Sequence, residues 1–188
     1  KLYGCDGDDV MDCNIGFDFL SGGSGNDYMT GGASEDTLAG GSGNDTIKGG
    51  EENDILIGDA GNDYLEGGSG SDSYFFSGVF GRDKVLDESG SDDMAYFDAD
   101  VSNVKFTKMD NNLIVSLNNG NGQVTFERWF STADNKVGIQ VGNQVIQNID
   151  ALVSSMASST PVQSAYSAVS PMYCSTDLVT PWCCDCAA

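Results

Sequence analysis

Eight aspartates recur at a constant interval of nine residues: Asp9, Asp18, Asp27, Asp36, Asp45, Asp54, Asp63 and Asp72. Carboxylates at fixed intervals, in a chain with no histidine at all, suit oxygen-only coordination of a hard cation. A flexible shell of roughly six to eight oxygens suits Ca2+ better than Mg2+. The missing histidine also removes Ser–His and Cys–His nucleophile pairs, most zinc sites and the commonest general base. Gly-X-Ser-X-Gly, His-Glu-X-X-His and phosphate-binding loops do not occur. The carboxylates are therefore read as ligands, and no enzyme activity is expected.

The aspartates belong to a longer repeat. On a nine-residue period the chain reads GCDGDDVMD, CNIGFDFLS, GGSGNDYMT, GGASEDTLA, GGSGNDTIK, GGEENDILI, GDAGNDYLE and GGSGSDSYF, from residue 4 to residue 75 without an insertion. Position six is always Asp. Position eight is always large and apolar: Met11, Leu20, Met29, Leu38, Ile47, Leu56, Leu65 and Tyr74. Glycines permit a tight turn whose carbonyls point inward beside the carboxylate. Positions seven to nine are predicted to form a short strand whose middle side chain enters a core. A glycine-rich linker is the bland alternative, but a linker has no reason to hold Asp and an apolar residue in register over so many periods.

The bulk composition narrows the partners. The net charge is −21, from 29 acidic and 8 basic residues. A chain this acidic carries no electrostatic footprint for nucleic acid or anionic membranes. No run of apolar residues is long enough for a transmembrane helix. An acidic disordered chain is argued against by 39% hydrophobic residues, including nine Phe and seven Tyr. Lys1-Leu2-Tyr3 reads as the end of something already under way, so an upstream part of a parent protein is expected.

Residues 4–75 resemble the RTX family, the glycine- and aspartate-rich nonapeptide repeats of secreted bacterial proteins. The resemblance implies an all-β fold: a right-handed parallel β-roll in which two repeats make one coil and Ca2+ sits between turns stacked on the same edge. It pairs Asp9 with Asp27, Asp27 with Asp45 and Asp45 with Asp63 on one edge. On the other it pairs Asp18 with Asp36, Asp36 with Asp54 and Asp54 with Asp72. About six sites are implied by these pairs. Carbonyls of positions one to four would complete the shells, namely those of Gly22, Gly23, Ser24, Gly25, Gly40, Gly41, Ser42, Gly43, Gly58, Asp59, Ala60 and Gly61.

The two edges differ. The first keeps Gly at position four throughout (Gly7, Gly25, Gly43, Gly61), whereas the second has Ser34 and Glu52 there and Asn14 at position two. A residue with a Cβ at a positive-φ position costs about 1 kcal/mol. A tighter, more regular row of ions is therefore expected on the first edge, with looser turns or a vacant site at Ser34 and Glu52. Cys5 and Asp59 replace the second glycine on the first edge and should add strain there.

Residues 1–75 carry 16 acidic and 2 basic side chains. Stacked a strand spacing apart, roughly 4.8 Å, these carboxylates repel one another once partly desolvated. One apolar residue per repeat is a thin core. Cation binding is therefore expected to supply folding energy, giving an unfolded chain without Ca2+ and a folded one at extracellular Ca2+ levels.

Beyond the roll, residues 76–157 are expected to form a β-rich C-terminal flanking domain with a short helix, capping the roll's open end. Predicted strands are Met94–Phe97, Val104–Thr107, Leu113–Leu117, Val124–Phe126, Val137–Val141 and Gln144–Ile146, with hairpin turns at Asn118-Asn119-Gly120 and Gly142-Asn143. Ile149, Leu152, Val153 and Met156 fall at helical spacing after Asn148 as N-cap. Tyr74, Phe75, Phe76, Phe97, Phe106, Phe126, Trp129 and Phe130 alternate as core residues do; an aromatic ligand groove is the rival reading. Residues 158–188 form a Ser/Thr/Cys-containing tail, for which the resemblance implies a type I secretion signal. Cys5, Cys13, Cys174, Cys183, Cys184 and Cys186 do not fit the family pattern. Disulfides or free thiols are the leading reading; a soft-metal site or residues foreign to the native chain are the alternatives. Cys5 and Cys13 should lie on opposite edges and not bond each other.

The resemblance implies a secreted bacterial calcium-binding module, at the cell surface or beyond, that folds after type I secretion and scaffolds a toxin, hydrolase or adhesin. Its partners would be the upstream part of the parent and the secretion machinery. The alternative is a self-associating subunit of a calcium-stabilised fibre, surface layer or adhesin.

Overall fold

The computed structural model describes residues 1–87, 89–90, 92–131 and 137–156. The repeats supply nine strands: β1 (Leu2–Asp6), β2 (Val10–Asp12), β3 (Phe19–Ser24), β4 (Tyr28–Ala33), β5 (Thr37–Ser42), β6 (Thr46–Glu51), β7 (Ile55–Ala60), β8 (Tyr64–Ser69) and β9 (Ser73–Phe76). Seven more lie beyond them: β10 (Gly81–Leu86), β11 (Met94–Phe97), β12 (Val104–Met109), β13 (Asn112–Leu117), β14 (Gly122–Phe126), β15 (Gly138–Val141) and β16 (Gln144–Ile146), with one helix, α1 (Ile149–Met156). No helix among the described residues is long and apolar enough to cross a membrane.

Successive repeat strands alternate between two facing sheets, so the chain winds as a parallel β-solenoid. One sheet runs β1-β3-β5-β7-β9-β11-β15-β16; the other runs β12-β13-β14-β10-β8-β6-β4-β2. Register follows the two-repeat coil: Leu20 pairs with Leu38, Leu38 with Leu56 and Leu56 with Tyr74, while Met29 pairs with Ile47 and Ile47 with Leu65. The position-eight side chains line the interior, none more than 3% exposed.

The strands are longer than the three residues, positions seven to nine, expected from the repeat. Each of β3 to β8 runs on through positions one to three of the next repeat, leaving only positions four to six for the bend. Period-two alternation explains it: position one also faces inward, and glycine fits there. A Cβ at Gly22 would collide with the Asp27 carboxylate and crowd the Gly40 carbonyl.

The sheets do not stop where the repeats do. The interior column of one sheet passes from Leu65 to Val85, Phe126 and Leu113. The other passes from Tyr74 to Ala95, Ile139 and Ile146. The long Tyr74 thus lies beside the small Ala95. Strand pairing turns antiparallel only at the far end, where β12–β13–β14 and β15–β16 close the two sheets.

The six strands expected after the repeats are present, and so are both hairpins. Strand β10 is an addition; three consecutive charged residues, Arg82, Asp83 and Lys84, hide its pattern. Asn148 opens α1 by accepting the Leu152 N–H at 3.0 Å, but from a left-handed backbone (φ +54°) rather than the extended one typical of an N-cap. Ile149, Leu152 and Val153 face the core.

The aromatic residues behave as core. Tyr74, Phe76, Phe97, Phe106, Phe126 and Trp129 are buried, and Phe76 stacks on Phe97 with centroids 4.9 Å apart. Phe75 is half-buried and stacks on Tyr96 at 4.8 Å, and the Lys108 ammonium lies 4.2 Å from the Phe130 ring centre. Cys13 is a free thiol, so it does not bond Cys5. Cys174, Cys183, Cys184, Cys186 and the expected secretion tail lie outside the described residues.

Candidate metal centres

Each repeat aspartate ends the bend that enters the next strand, and strand register places it one strand spacing from its partner a coil away. All the implied pairs are brought together on the two edges, but not carboxylate against carboxylate. The backbone N–H of each Asp donates to Oδ1 of the Asp on the following coil: Asp9 to Asp27, Asp27 to Asp45 and Asp45 to Asp63 on the first edge, at 2.8–2.9 Å. On the second edge Asp18 donates to Asp36, Asp36 to Asp54 and Asp54 to Asp72, at 2.7–2.8 Å. The carbonyl of each Asp in turn accepts from the residue after the next Asp, as Thr46 N–H does with Asp27 at 2.8 Å.

This arrangement uses one carboxylate oxygen and leaves the other. Oδ2 of Asp9, Asp27, Asp36, Asp45, Asp54, Asp63 and Asp72 is buried without a hydrogen-bond partner. A buried anionic oxygen without a partner is costly, and a row of them requires positive charge. Each lies beside the position-one glycine of its own turn: Asp27 beside Gly22, Asp45 beside Gly40 and Asp63 beside Gly58. Carbonyls supply further oxygen. Those of Gly23 and Gly25 lie against Gly41 and Gly43, and that of Gly43 lies against Gly61. The donor set is all oxygen, part charged and part neutral, and it fits Ca2+.

Of the other residues named as ligands, Gly22, Gly23 and Ser24 lie in β3, Gly40, Gly41 and Ser42 in β5, and Gly58, Asp59 and Ala60 in β7. Gly25, Gly43 and Gly61 lie at the bends. Every substituted glycine at positions two and four keeps the left-handed backbone: φ is +86° at Cys5, +62° at Asn14, +90° at Ser34, +74° at Glu52 and +64° at Asp59. Neighbouring coils impose the conformation, and these side chains bear the strain.

Burial pushes the carboxyls up. Asp54 and Asp63 rise to about 7 and Asp72 to about 6, with the charge of the adjacent rung adding and the backbone hydrogen bond opposing. Asp36 and Asp45 move the same way for the same reason. These groups resist ionisation unless a cation offsets the charge.

Two features escape a strict nine-residue reading. The aspartate ladder continues past the repeats, since Asp63 N–H donates to Asp83 Oδ1 at 3.0 Å and Asp72 N–H to Asp93 Oδ1 at 2.8 Å. Burial raises Asp83 to about 8, and its Oδ2 is also without a partner. The fragment Gly81-Arg82-Asp83-Lys84-Val85 keeps the Gly-X-Asp-X-apolar order with a two-residue slip, which a search tolerant of insertions finds. The second feature is a ladder at position five. Asn26 Oδ1 accepts both the backbone N–H of Asn44 (2.9 Å) and its side-chain amide (3.2 Å), and Asn44 does the same for Asn62. Its signal is Asn at 18-residue spacing on one edge.

Residues 14–47 and 39–74 match the RTX calcium-binding nonapeptide repeat (4 copies). No curated protein matches the chain.

Proposed function

This chain carries RTX calcium-binding repeats wound as a β-roll, and on that premise we propose that Ca2+ outside the cell triggers its folding after type I secretion, so that it scaffolds a larger secreted protein. The observation that carries this reading is the row of buried, unpartnered Asp Oδ2 atoms on both edges. Bound Ca2+ supplies the positive charge these oxygens need. The chain's part is to hold one carboxylate oxygen on a backbone amide and keep the other ready. Without the cation, buried carboxylates oppose formation of the roll, which keeps the chain extended and fit for export. The reading gives the aspartates no catalytic step.

The test is circular dichroism of the purified chain during a Ca2+ titration starting in chelator. A coil-like spectrum that turns strand-rich as Ca2+ rises to millimolar levels is expected. A strand-rich spectrum already present in chelator at neutral to mildly alkaline pH overturns the coupling of folding to Ca2+.

One observation favours a second reading, a subunit of a calcium-stabilised fibre or surface layer. Among the described residues β1 and β2 each have a single strand neighbour. Beside them Ile15 and Phe17 are 80% and 79% exposed. Another copy could add strands to that end. Electron microscopy with Ca2+ would show filaments under this reading and isolated particles under the first.

A further inference from the structure

We propose a further cation site, built from three carboxylates, at the C-terminal end of the second edge: Asp72, Asp87 and Asp93. Asp87 belongs to no repeat. It comes directly after β10, and the sheet brings it back over the last repeat turn. Carboxylate oxygens of the three residues lie within 4.8 Å of one another.

The site differs in kind from the rungs below it. At Gly31 and Gly49 the space beside the glycine is shared by the Asp Oδ2 of the same turn and the position-one carbonyl of the next. At Gly67 the Asp72 Oδ2 is present, but the Tyr74 hydroxyl stands where that carbonyl would be. This hydroxyl accepts the Gly67 N–H at 2.9 Å and donates to Asp87 Oδ2 at 2.9 Å. Tyr74 thus positions Asp87, while the Asp72 N–H positions Asp93 through its 2.8 Å bond to Oδ1. Two oxygens remain buried without a hydrogen-bond partner: Asp72 Oδ2, on a residue 1% exposed, and Asp87 Oδ1. An interior rung sets a carboxylate against a backbone amide of the neighbouring coil, whereas here three carboxylates converge, so the site concentrates more negative charge on one point. A hard divalent cation is the fitting ligand, bound more tightly here than in the interior rungs because affinity in oxygen sites rises with ligand charge. The site rests on the calcium reading for the identity of its ion, and it would pin the last repeat coil to the β10–β11 connection.

The test is calorimetric titration of the full chain with Ca2+, comparing the unmodified protein with Asp87→Asn. Asparagine can still accept the Tyr74 hydroxyl, so the local hydrogen bond survives. The expected result is one ion fewer, or a tightest step weakened about tenfold or more, with the remaining steps retained. An unchanged isotherm overturns the site, and the carboxyls then share protons instead. Should the variant not fold, crystals of the unmodified chain grown with Tb3+ decide the matter by anomalous scattering. A peak between Asp72, Asp87 and Asp93 supports the site. Peaks only in the repeat rungs overturn it and leave the calcium reading of the repeats standing, while peaks nowhere overturn both.

Discussion

The two edges of the roll are built from one repeat and are held differently at their tips. Both carry the same aspartate ladder, with N–H to Oδ1 bonds of 2.7–2.9 Å. On the first edge the position-four amide also bonds the next coil: Gly7 to Ser24, Gly25 to Ser42 and Gly43 to Ala60, at 2.7–2.9 Å. Its position-five ladder passes from Asp8 through Asn26, Asn44 and Asn62 to the Arg82 amide. On the second edge Gly16 bonds Ala33, but among the described residues Ser34 and Glu52 make no such bond to the next coil. The position-five ladder there includes Asn53 with Glu35 and Ser71 with Asn53. A side chain at position four disturbs the tip and leaves the carboxylate rung in place. Tip and rung are therefore separable: the rung depends on strand register, the tip on glycine.

The largest expected effect comes from giving the first edge a Cβ where the second already has one. Gly43 has φ +130°, and a Cβ there would collide with the Gly25 carbonyl. Gly43→Ala should destabilise the Ca2+-loaded roll by about 3 kcal/mol. Ser34→Ala, at the equivalent position of the other edge, should cost less than about 0.5 kcal/mol. Thermal or urea unfolding at fixed Ca2+ measures both, and equal losses would erase the distinction between tips.

The next effect is the pH dependence of the cation-free chain. Asp54, Asp63, Asp72 and Asp83 have folded values raised to about 7, 7, 6 and 8, against an unfolded value of about 3.9. The folded state therefore holds more protons, and stability falls as pH rises. In chelator the roll should be most stable at or below about pH 4 and lose that stability progressively up to about pH 8. Saturating Ca2+ should flatten the profile. The edges separate here too: Asp83→Asn, on the first, should remove more of the slope near neutrality than Asp72→Asn on the second. The fraction folded in chelator, read by circular dichroism from acid to neutral pH, supplies the measurement, and strand content that rises with pH would reverse the argument.

The smallest effect repairs the weaker tip. Glu52→Gly removes a Cβ from a residue at φ +74° and should stabilise the loaded roll by about 1 kcal/mol. The Ca2+ midpoint for folding should fall slightly. No change in either quantity would mean that Glu52 makes compensating contacts in solution.

The sequence alone carried the period, the aspartate spacing, the inward apolar column and the looser turn tips of the second edge. These are local or strictly repeated properties, and a period that recurs every nine residues states its own register. The positive φ at Cys5, Asn14, Ser34, Glu52 and Asp59 was readable for the same reason, since each stands where another repeat has glycine. The region beyond the repeats was less legible. Its strands could be found from alternation, but their order could not, because β14 and β15 join β10 and β11 in parallel across 41 and 44 residues of chain.

Only the tertiary structure decided the division of labour within each carboxylate. That Oδ1 takes a backbone amide while Oδ2 is left buried and bare depends on the stacking of coils, which no single repeat contains. The same holds for the extension of the ladder to Asp83 and Asp93, where slips of two and three residues break the period but not the sheet. It holds equally for Asp87, which reaches Asp72 and Tyr74 only because hydrogen bonding between strands, unlike sequence spacing, is indifferent to the length of loop between them.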